Sequence, residues 1–197
     1  MTTTPSAPTK KKATFNTLSV SEVRALTSDS VEVSFAIPPE LQDDYDYIPG
    51  QYVALRATID GQEVRRSYSI CDVPRDGVLR VAIKRDRGGV FSTWANDTLQ
   101  PGDTMDVMNP QGAFTSKTHL TGLNNPEAVR AELEKLENPH LVAIAAGSGI
   151  TPIMAIAQTV LHTSPDTTFE LIFANKGGGD VMFAEEIGDL KDKFPTR

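Results

Sequence analysis

Arg65-Arg66-Ser67-Tyr68-Ser69-Ile70-Cys71 is the stretch on which the reading of this chain turns. Apolar and polar residues alternate through it as in a half-buried strand, yet it gathers two guanidiniums, two hydroxyls and a phenol ring. That mixture suits a large, flat, anionic ligand. An arginine forms a forked pair of bonds with phosphate oxygens, an aromatic ring lies against a planar heterocycle, and a small hydroxyl bonds a ring nitrogen without blocking its face. The plainer alternative is a barrel strand with solvated polar residues.

Around this stretch the pattern is that of short strands. Thr17 to Ala25, Val31 to Ala36, Gln51 to Ala57, Glu63 to Cys71, Val78 to Lys84 and Thr104 to Asn109 are rich in valine or tyrosine and bounded by Pro, Gly, Asp or Asn. Six such strands in about a hundred residues predict an antiparallel barrel or sandwich. Val73-Pro74-Arg75-Asp76-Gly77 reads as a tight turn closing a hairpin between the fourth and fifth strands, whose return strand carries Lys84 and Arg85. In Gly88-Gly89-Val90-Phe91-Ser92-Thr93-Trp94, paired glycines lead into a short helix from Phe91 to Asp97. Glycines admit a ligand close to the backbone, and amides at a helix start favour anions; a plain turn with Phe91 and Trp94 packed beneath the barrel is the alternative. Pro110-Gln111-Gly112-Ala113-Phe114 ends the β region, with Gly112 a further point of close approach or a simple loop exit.

From Thr115 to Asn138 the pattern becomes helical. Asn125 suits an N-cap, Pro126 the first helical position, and Val129, Leu133 and Leu136 follow helical spacing. A second module opens at His140. Leu141-Val142-Ala143-Ile144-Ala145-Ala146 is a continuous apolar run, as in a parallel strand covered on both faces. It passes into Gly147-Ser148-Gly149-Ile150-Thr151-Pro152 and an apolar helix to about His162, the strand, Gly-x-Gly turn and helix order of a dinucleotide site. Pro152 stands where the usual fingerprint has its third glycine. A second parallel strand, Thr168 to Ala174, leads through Asn175-Lys176-Gly177-Gly178-Gly179-Asp180 to a helix from about Met182 to Lys191. Lys176 is placed to meet a ribose or its phosphate, or simply to be solvated.

Composition narrows the classes of function. A formal net charge of -7 with one short basic cluster, Lys10-Lys11-Lys12, argues against nucleic acid and anionic membrane surfaces. The single cysteine, Cys71, excludes an internal disulfide and a four-thiolate cluster and points to a reducing cytoplasm. Residues 1–13 read as a disordered arm without the apolar core of a signal peptide. Leu141 to Leu161 carries no charge, but its central Gly, Ser, Thr and Pro residues argue for a buried strand and helix rather than a membrane span. His119, His140 and His162 lack metal-ligand spacing, so no metal is expected.

In order and spacing, Arg66-Ser67-Tyr68-Ser69, Gly89-Val90-Phe91-Ser92, Pro110 through Phe114 and Ala145 through Pro152 resemble the ferredoxin-NADP⁺ reductase family of flavoenzymes. The resemblance runs from about Phe15 to the last residue. It implies a six-stranded antiparallel Greek-key flavin barrel followed by a partial parallel-sheet nucleotide-binding domain. The implied division is an FAD-binding barrel over 14–118, a helical linker over 119–138 and a partial NAD(P)-binding domain over 139–197. By the same resemblance Arg66, with Ser67 beside it, holds the flavin phosphates, Tyr68 lies against the isoalloxazine and ribityl region, and Ser69 sits near flavin N5; Tyr68 and Ser69 are the residues implied at the reacting centre. Ala82, Ile83 and Lys84 join the cofactor-binding set, with Gly88, Gly89, Val90, Phe91 and Ser92 at the pyrophosphate. Gly147, Gly149, Thr151 and Pro152 line the NAD(P)H site. The implied activity is an electron-transfer reductase that moves a hydride from NAD(P)H to FAD and single electrons on to a ferredoxin or oxygenase component.

The sequence departs from that family at Phe194-Pro195-Thr196-Arg197, where it stops after two parallel strands of a domain that ordinarily has about five. A two-stranded remnant leaves apolar edges and faces uncovered, from which we expect instability, a docked partner or a shortened chain. A non-catalytic flavin-binding or interaction module is therefore the alternative function. An α/β nucleotide-binding protein unrelated to flavin is a third, and there Arg66 has no role.

Overall fold

The computed structural model describes residues 11–75, 77–112, 114, 130–131, 133–135 and 139–197. Residues 1–10 of the expected arm, Asp76 of the turn, Ala113, His119, and the linker positions Asn125, Pro126, Val129 and Leu136 lie outside these.

Six strands form one antiparallel sheet: β1 (Phe15–Thr27), β2 (Ser30–Ala36), β3 (Tyr52–Ile59), β4 (Gln62–Ser69), β5 (Val78–Lys84) and β6 (Thr104–Met108), in the order β4-β3-β6-β1-β2-β5. β1 is long enough to serve two partners. Its first residues, Phe15 to Ser19, pair with β6, and Ser19 to Thr27 pair with β2. Register shifts at Val20/Glu22, just past the changeover from β6 to β2, and at Ala25/Thr27, beside the hairpin turn, mark irregularities of the kind by which an extra residue curls a sheet. The β3–β4 hairpin turns at Asp60 and Gly61, both with positive φ (50° and 75°), the geometry whose twist matches that of the strands. Leu18, Val33, Phe35, Val53, Leu55, Val81 and Ile83 fill the interior, alternating with outward-facing neighbours along each strand. A short helix, α1 (Gln42–Tyr45), supplies Tyr45, whose hydroxyl donates to the Val107 carbonyl at 2.5 Å. The helix α2 (Val90–Thr98) packs Phe91 and Ala95 into one end of this core.

The expected β4–β5 hairpin is only partly formed. Its turn is present, with an Arg75↔Val78 bridge and Gly77 at φ 77°. The strands it joins do not zip together, however: β4 pairs along its length with β3 and β5 with β2, and the two meet at a single Ile70↔Val81 bridge. The connection is pinned instead by side chains. Buried Asp72 pairs with Arg75 (2.8 Å) and Arg80 (3.2 Å), and the Tyr47 hydroxyl donates to the carbonyls of Asp72 and Val73. β2 wins the pairing because Val33 and Phe35 must be covered, and β5 brings Leu79, Val81 and Ile83 to the same interior.

A second, two-stranded parallel sheet consists of β7 (His140–Ala146) and β8 (Thr168–Ala174). The helices α3 (Ile150–Thr163) and α4 (Ala184–Lys193) lie against it, with Ala143, Ala145, Leu171 and Phe173 packed beside Ile150, Met154 and Ile187. Leu133, from the stretch expected to be helical, is itself helical and buries against Ile156 and Val160 of α3. β7 was expected to be covered on both faces, and here the structure differs: Val142 and Ile144 of β7 and Ile172 of β8 are 55%, 77% and 51% exposed. Both helices sit on the other face, so these side chains meet no layer among the described residues. No helix is long and apolar enough to cross a membrane among those residues.

Phe35 is completely buried at the barrel centre. Truncation in Phe35→Ala is expected to lower unfolding free energy by about 3–5 kcal/mol, read from the midpoint and slope of urea denaturation.

Candidate functional site

β4 and β5 are the two edges of the six-stranded sheet, and beyond the Ile70↔Val81 bridge each leaves one row of backbone donors and acceptors unpaired by any other strand. The barrel residues singled out from the sequence lie along this opening, whereas Gly147, Gly149, Thr151 and Pro152 lie in the second module. On β4 they divide by the two-residue period of a strand. Arg66 and Tyr68 lie opposite Leu55 and Val53 on the core-facing side, whereas Ser67 and Ser69 lie opposite Ala54 and Tyr52 on the outer side. The four therefore form two rows along one strand edge rather than one cluster.

Tyr68 is half-buried, with its ring 5.7 Å from that of Phe91 in α2, and Phe91 in turn packs edge-on against Trp94. Burial pushes the Tyr68 phenol up to about 12, with Arg66 opposing and Asp86 reinforcing the shift. The phenol is thus neutral at ordinary pH, and the guanidinium of Arg66 and the carboxylate of Asp86 are both close enough to act on it. Arg66 is exposed, donates to the Arg65 carbonyl at 2.7 Å and pairs with no carboxylate among the described residues. Arg65 behaves differently. It stacks over the Phe15 ring, 5.0 Å from its centroid, on the outer face, where Arg56 also lies over that ring at 4.4 Å.

The loop before α2 is tightly wound. Gly88 has φ 75°, the Gly89 amide donates to the Asp86 carbonyl at 2.9 Å, and the Asp86 amide donates to Ser92 Oγ at 3.0 Å. A Cβ added to Gly89 would lie 2.6 Å from Ser92 Oγ and 3.2 Å from the Asp86 carbonyl oxygen, so the turn closes only with glycine there. α2 begins at Val90, so the first-turn amides of Val90, Phe91 and Ser92 have no helical carbonyl to bond and offer themselves to an anion. Across the opening, Ala82 and Ile83 of β5 are buried, and Lys84 is held by Asp29 at 2.6 Å. Arg85 is likewise engaged, by Asp97. Of the cations near this end of the barrel, Arg66 is therefore better placed than Lys84 to receive a ligand anion.

Tyr52 is not among the site residues expected from the sequence. It is 36% exposed, stands opposite Ser69 in register, and its ring lies so close to Gly112 that a Cβ there would come within 2.8 Å of it. An exposed tyrosine directly after the Pro49-Gly50-Gln51 turn was the available signal. In the second module Gly147 (φ 49°), Ser148 and Gly149 form a single tight turn, open on the side where a Cβ of either glycine would point. Thr151 is buried and its hydroxyl donates to the Ser148 carbonyl at 3.0 Å, which fixes the turn to the start of α3; Pro152 is half-buried in that first turn. Lys176, at the carboxyl end of β8, is exposed. No cluster of metal-ligating side chains occurs among the described residues. A cavity of about 530 Å³ lies elsewhere, between α3, β8 and α4, and is lined by apolar side chains such as Met154, Phe169, Phe173 and Ile187.

Comparison with known proteins agrees with this arrangement. The chain matches the family described as the oxidoreductase FAD-binding domain over residues 17–116 and that described as the oxidoreductase NAD-binding domain over residues 143–197. It is 42% identical over 184 residues to one subunit of the 1,2-phenylacetyl-CoA epoxidase of Escherichia coli, covering 93% of this chain and 48% of that protein. It is 36% identical over 182 residues to the ferredoxin reductase component of 3-ketosteroid-9-alpha-monooxygenase from Rhodococcus rhodochrous, covering 91% and 46%. The chain thus spans about half the length of these curated relatives. Among solved structures, a ferredoxin NADP⁺ reductase from Neisseria gonorrhoeae with bound FAD and NADP superposes with a TM-score of 0.70 at 18% identity, covering 91% of this chain and 65% of that one. The FAD/NAD-binding domain of a nitric oxide dioxygenase from Vibrio cholerae gives 0.72 at 22% identity, covering 90% and 69%. With an open six-stranded barrel, a glycine turn at the start of α2 and a parallel β7–β8 pair, the chain belongs to the ferredoxin-NADP⁺ reductase-like family of FAD- and NAD-binding oxidoreductases.

Proposed function

We propose that this chain is the flavin-reducing part of an electron-transfer reductase, taking a hydride from NAD(P)H onto FAD and delivering single electrons to a ferredoxin or oxygenase component. The observation that carries the reading is Arg66. It has no carboxylate partner among the described residues, it lies on the open edge of β4, and the glycine-started helix α2 faces that edge through the Tyr68–Phe91 contact. A guanidinium and a helix start converging on one opening suit a pyrophosphate.

The residues fit FAD. Arg66 and the first amides of α2 would hold its phosphates, and the glycine at position 89 keeps Cβ atoms out of that cradle. Tyr68, a neutral phenol that burial holds further from ionisation, offers a ring face with no charge of its own. Ser69, with a small hydroxyl on the outer row beside Tyr52, would meet the reacting edge of the ring system. Ser67 and the Ala82, Ile83 and Lys84 backbone would line the two sides of the slot. When bound, FAD supplies the redox chemistry, accepting two electrons together and releasing them one at a time. The chain contributes orientation and exclusion of water, and no side chain is needed as a general acid or base. Gly147, Gly149, Thr151 and Pro152 would bind the nicotinamide nucleotide at the start of α3.

We further propose the division into an arm (1–13), a flavin barrel (14–118), a linker (119–138) and a nucleotide module (139–197), working in a reducing cytoplasm where Cys71 stays a thiol. The sequence likeness of Arg65 to Cys71 and of Gly88 to Asn96 to the reductase component of phenylacetyl-CoA oxygenase, together with the identity to the E. coli epoxidase protein, favours an oxygenase component of phenylacetate degradation as the acceptor.

The visible spectrum of the purified protein, followed by anaerobic addition of NADH or NADPH, tests the reading. Oxidised-flavin bands that bleach are expected; bands that persist favour the non-catalytic flavin-binding module, and a colourless protein that takes up no added FAD rejects both. Arg66→Ala is expected to weaken FAD binding by roughly 10- to 100-fold, the loss of one or two charge-assisted hydrogen bonds, as measured by flavin retained after gel filtration and by titration with FAD. Gly89→Val is expected to act in the same direction by forcing Ser92 and Asp86 apart, with the far-ultraviolet dichroism of the barrel unchanged.

A further inference from the structure

The two modules meet at the far end of the β1–β2 hairpin, and Arg24 bridges them. Arg24 of β1 donates through Nε and Nη2 to Glu32 Oε2 of β2, at 3.2 and 3.1 Å, and through the same Nη2 to Glu186 of α4. Glu32 is almost fully buried, and its other oxygen accepts from the Cys71 thiol at 3.7 Å. Cys71 lies two residues beyond Ser69 and packs, with Ala82 and Leu26 of the barrel, against Ile150, Met154, Met182 and Phe183 of the second module. Cys71, two residues past the flavin-facing strand, is thereby joined through Glu32 and Arg24 to α4.

A planar guanidinium holds its acceptors in fixed directions, which a lysine or a purely apolar seam does not. Direction matters at this seam, because a misplacement of about 1 Å between reacting groups costs about a hundredfold in rate. We propose that Arg24, clasping Glu32 and Glu186, sets the angle at which the nucleotide module meets the flavin-facing strand, so that Arg24 and Glu186 are positioning residues for transfer between the two. This rests on the assignment of the modules as flavin- and nicotinamide-binding.

Cys71 is the chain's single cysteine and lies inside the seam, so its reaction with a chromogenic disulfide reagent reports opening directly. Glu186→Gln leaves the Arg24–Glu32 pair intact and takes the charge out of the Arg24–Glu186 contact, reducing it to at most a neutral hydrogen bond; Glu185→Gln, at the exposed neighbouring carboxylate, is the control. Labelling of Cys71 is expected to quicken by about two- to fivefold in Glu186→Gln, as the loss of a partly exposed ion pair allows, and to stay at the parent rate in Glu185→Gln, with equal flavin content in all three. Single-turnover flavin reduction is expected to slow several-fold in Glu186→Gln at saturating NAD(P)H, with the half-saturating concentration unchanged. Equal labelling of Glu186→Gln and the parent, or equal acceleration by both substitutions, overturns the clasp. Faster labelling with unchanged reduction overturns the positioning role. A parent protein that is not reduced at all rejects the functional assignment instead, and the labelling comparison still decides the clasp.

Discussion

An open antiparallel sheet has two edges, and each presents backbone groups that must find partners. In this protein the sheet curls until its edges, β4 and β5, face each other, and then joins them at one bridge, Ile70↔Val81. Almost every feature of the candidate site follows from that incomplete closure. It leaves a slot with Arg66, Ser67, Tyr68 and Ser69 on one lip and Ala82, Ile83 and Lys84 on the other. It also gives α2 something to cap, because Phe91 and Ala95 fill the core that full closure would have sealed with side chains from the strands. The Asp72 pairs with Arg75 and Arg80 and the Tyr47 hydroxyl keep the lips from drifting further apart.

Much of this was legible in the sequence because strand alternation and turn chemistry are local. The β5 and β8 limits are those expected from composition, and α2 differs by one residue at each end. What escaped was pairing. The Val73 to Gly77 turn looked like a hairpin between β4 and β5, but a turn fixes only its neighbours, while β5 is claimed by the apolar row of β2, more than forty residues earlier in the chain. Alternation also split Arg66 and Tyr68 from Ser67 and Ser69, and that split places Tyr52 beside Ser69. Tyr52 stands at a strand start, where an aromatic residue reads as ordinary strand composition. Arg24, Glu32 and Glu186 were not legible at all, since nothing in the sequence relates charges 162 positions apart.

The second module shows how a helix layer defines one face of a sheet and leaves the other to further structure. α3 and α4 cover Ala143, Ala145, Leu171 and Phe173, so the alternate positions Val142, Ile144 and Ile172 project where no described residue covers them. The continuous apolar run of β7 led to an expectation of cover on both faces, and composition indeed equips it for that. Relatives about twice as long as this chain carry additional sequence, and the exposed row is chemically suited to a further layer.

The divided pairing of β1 has a consequence in time as well as in space. One half of the strand pairs with β2, immediately following it, and can do so as soon as a hairpin has been synthesised. The other half pairs with β6, with Thr17 opposite Asp106, and must wait for nearly ninety further residues. Loop closure over that distance precedes any reward from the contacts it makes, so this topology favours late closure of the barrel, with the N-terminal half of β1 an unpaired edge until β6 is made. The outer positions Thr17 and Ser19 on that half are polar and exposed, the composition that makes a waiting strand less adhesive to a wrong partner.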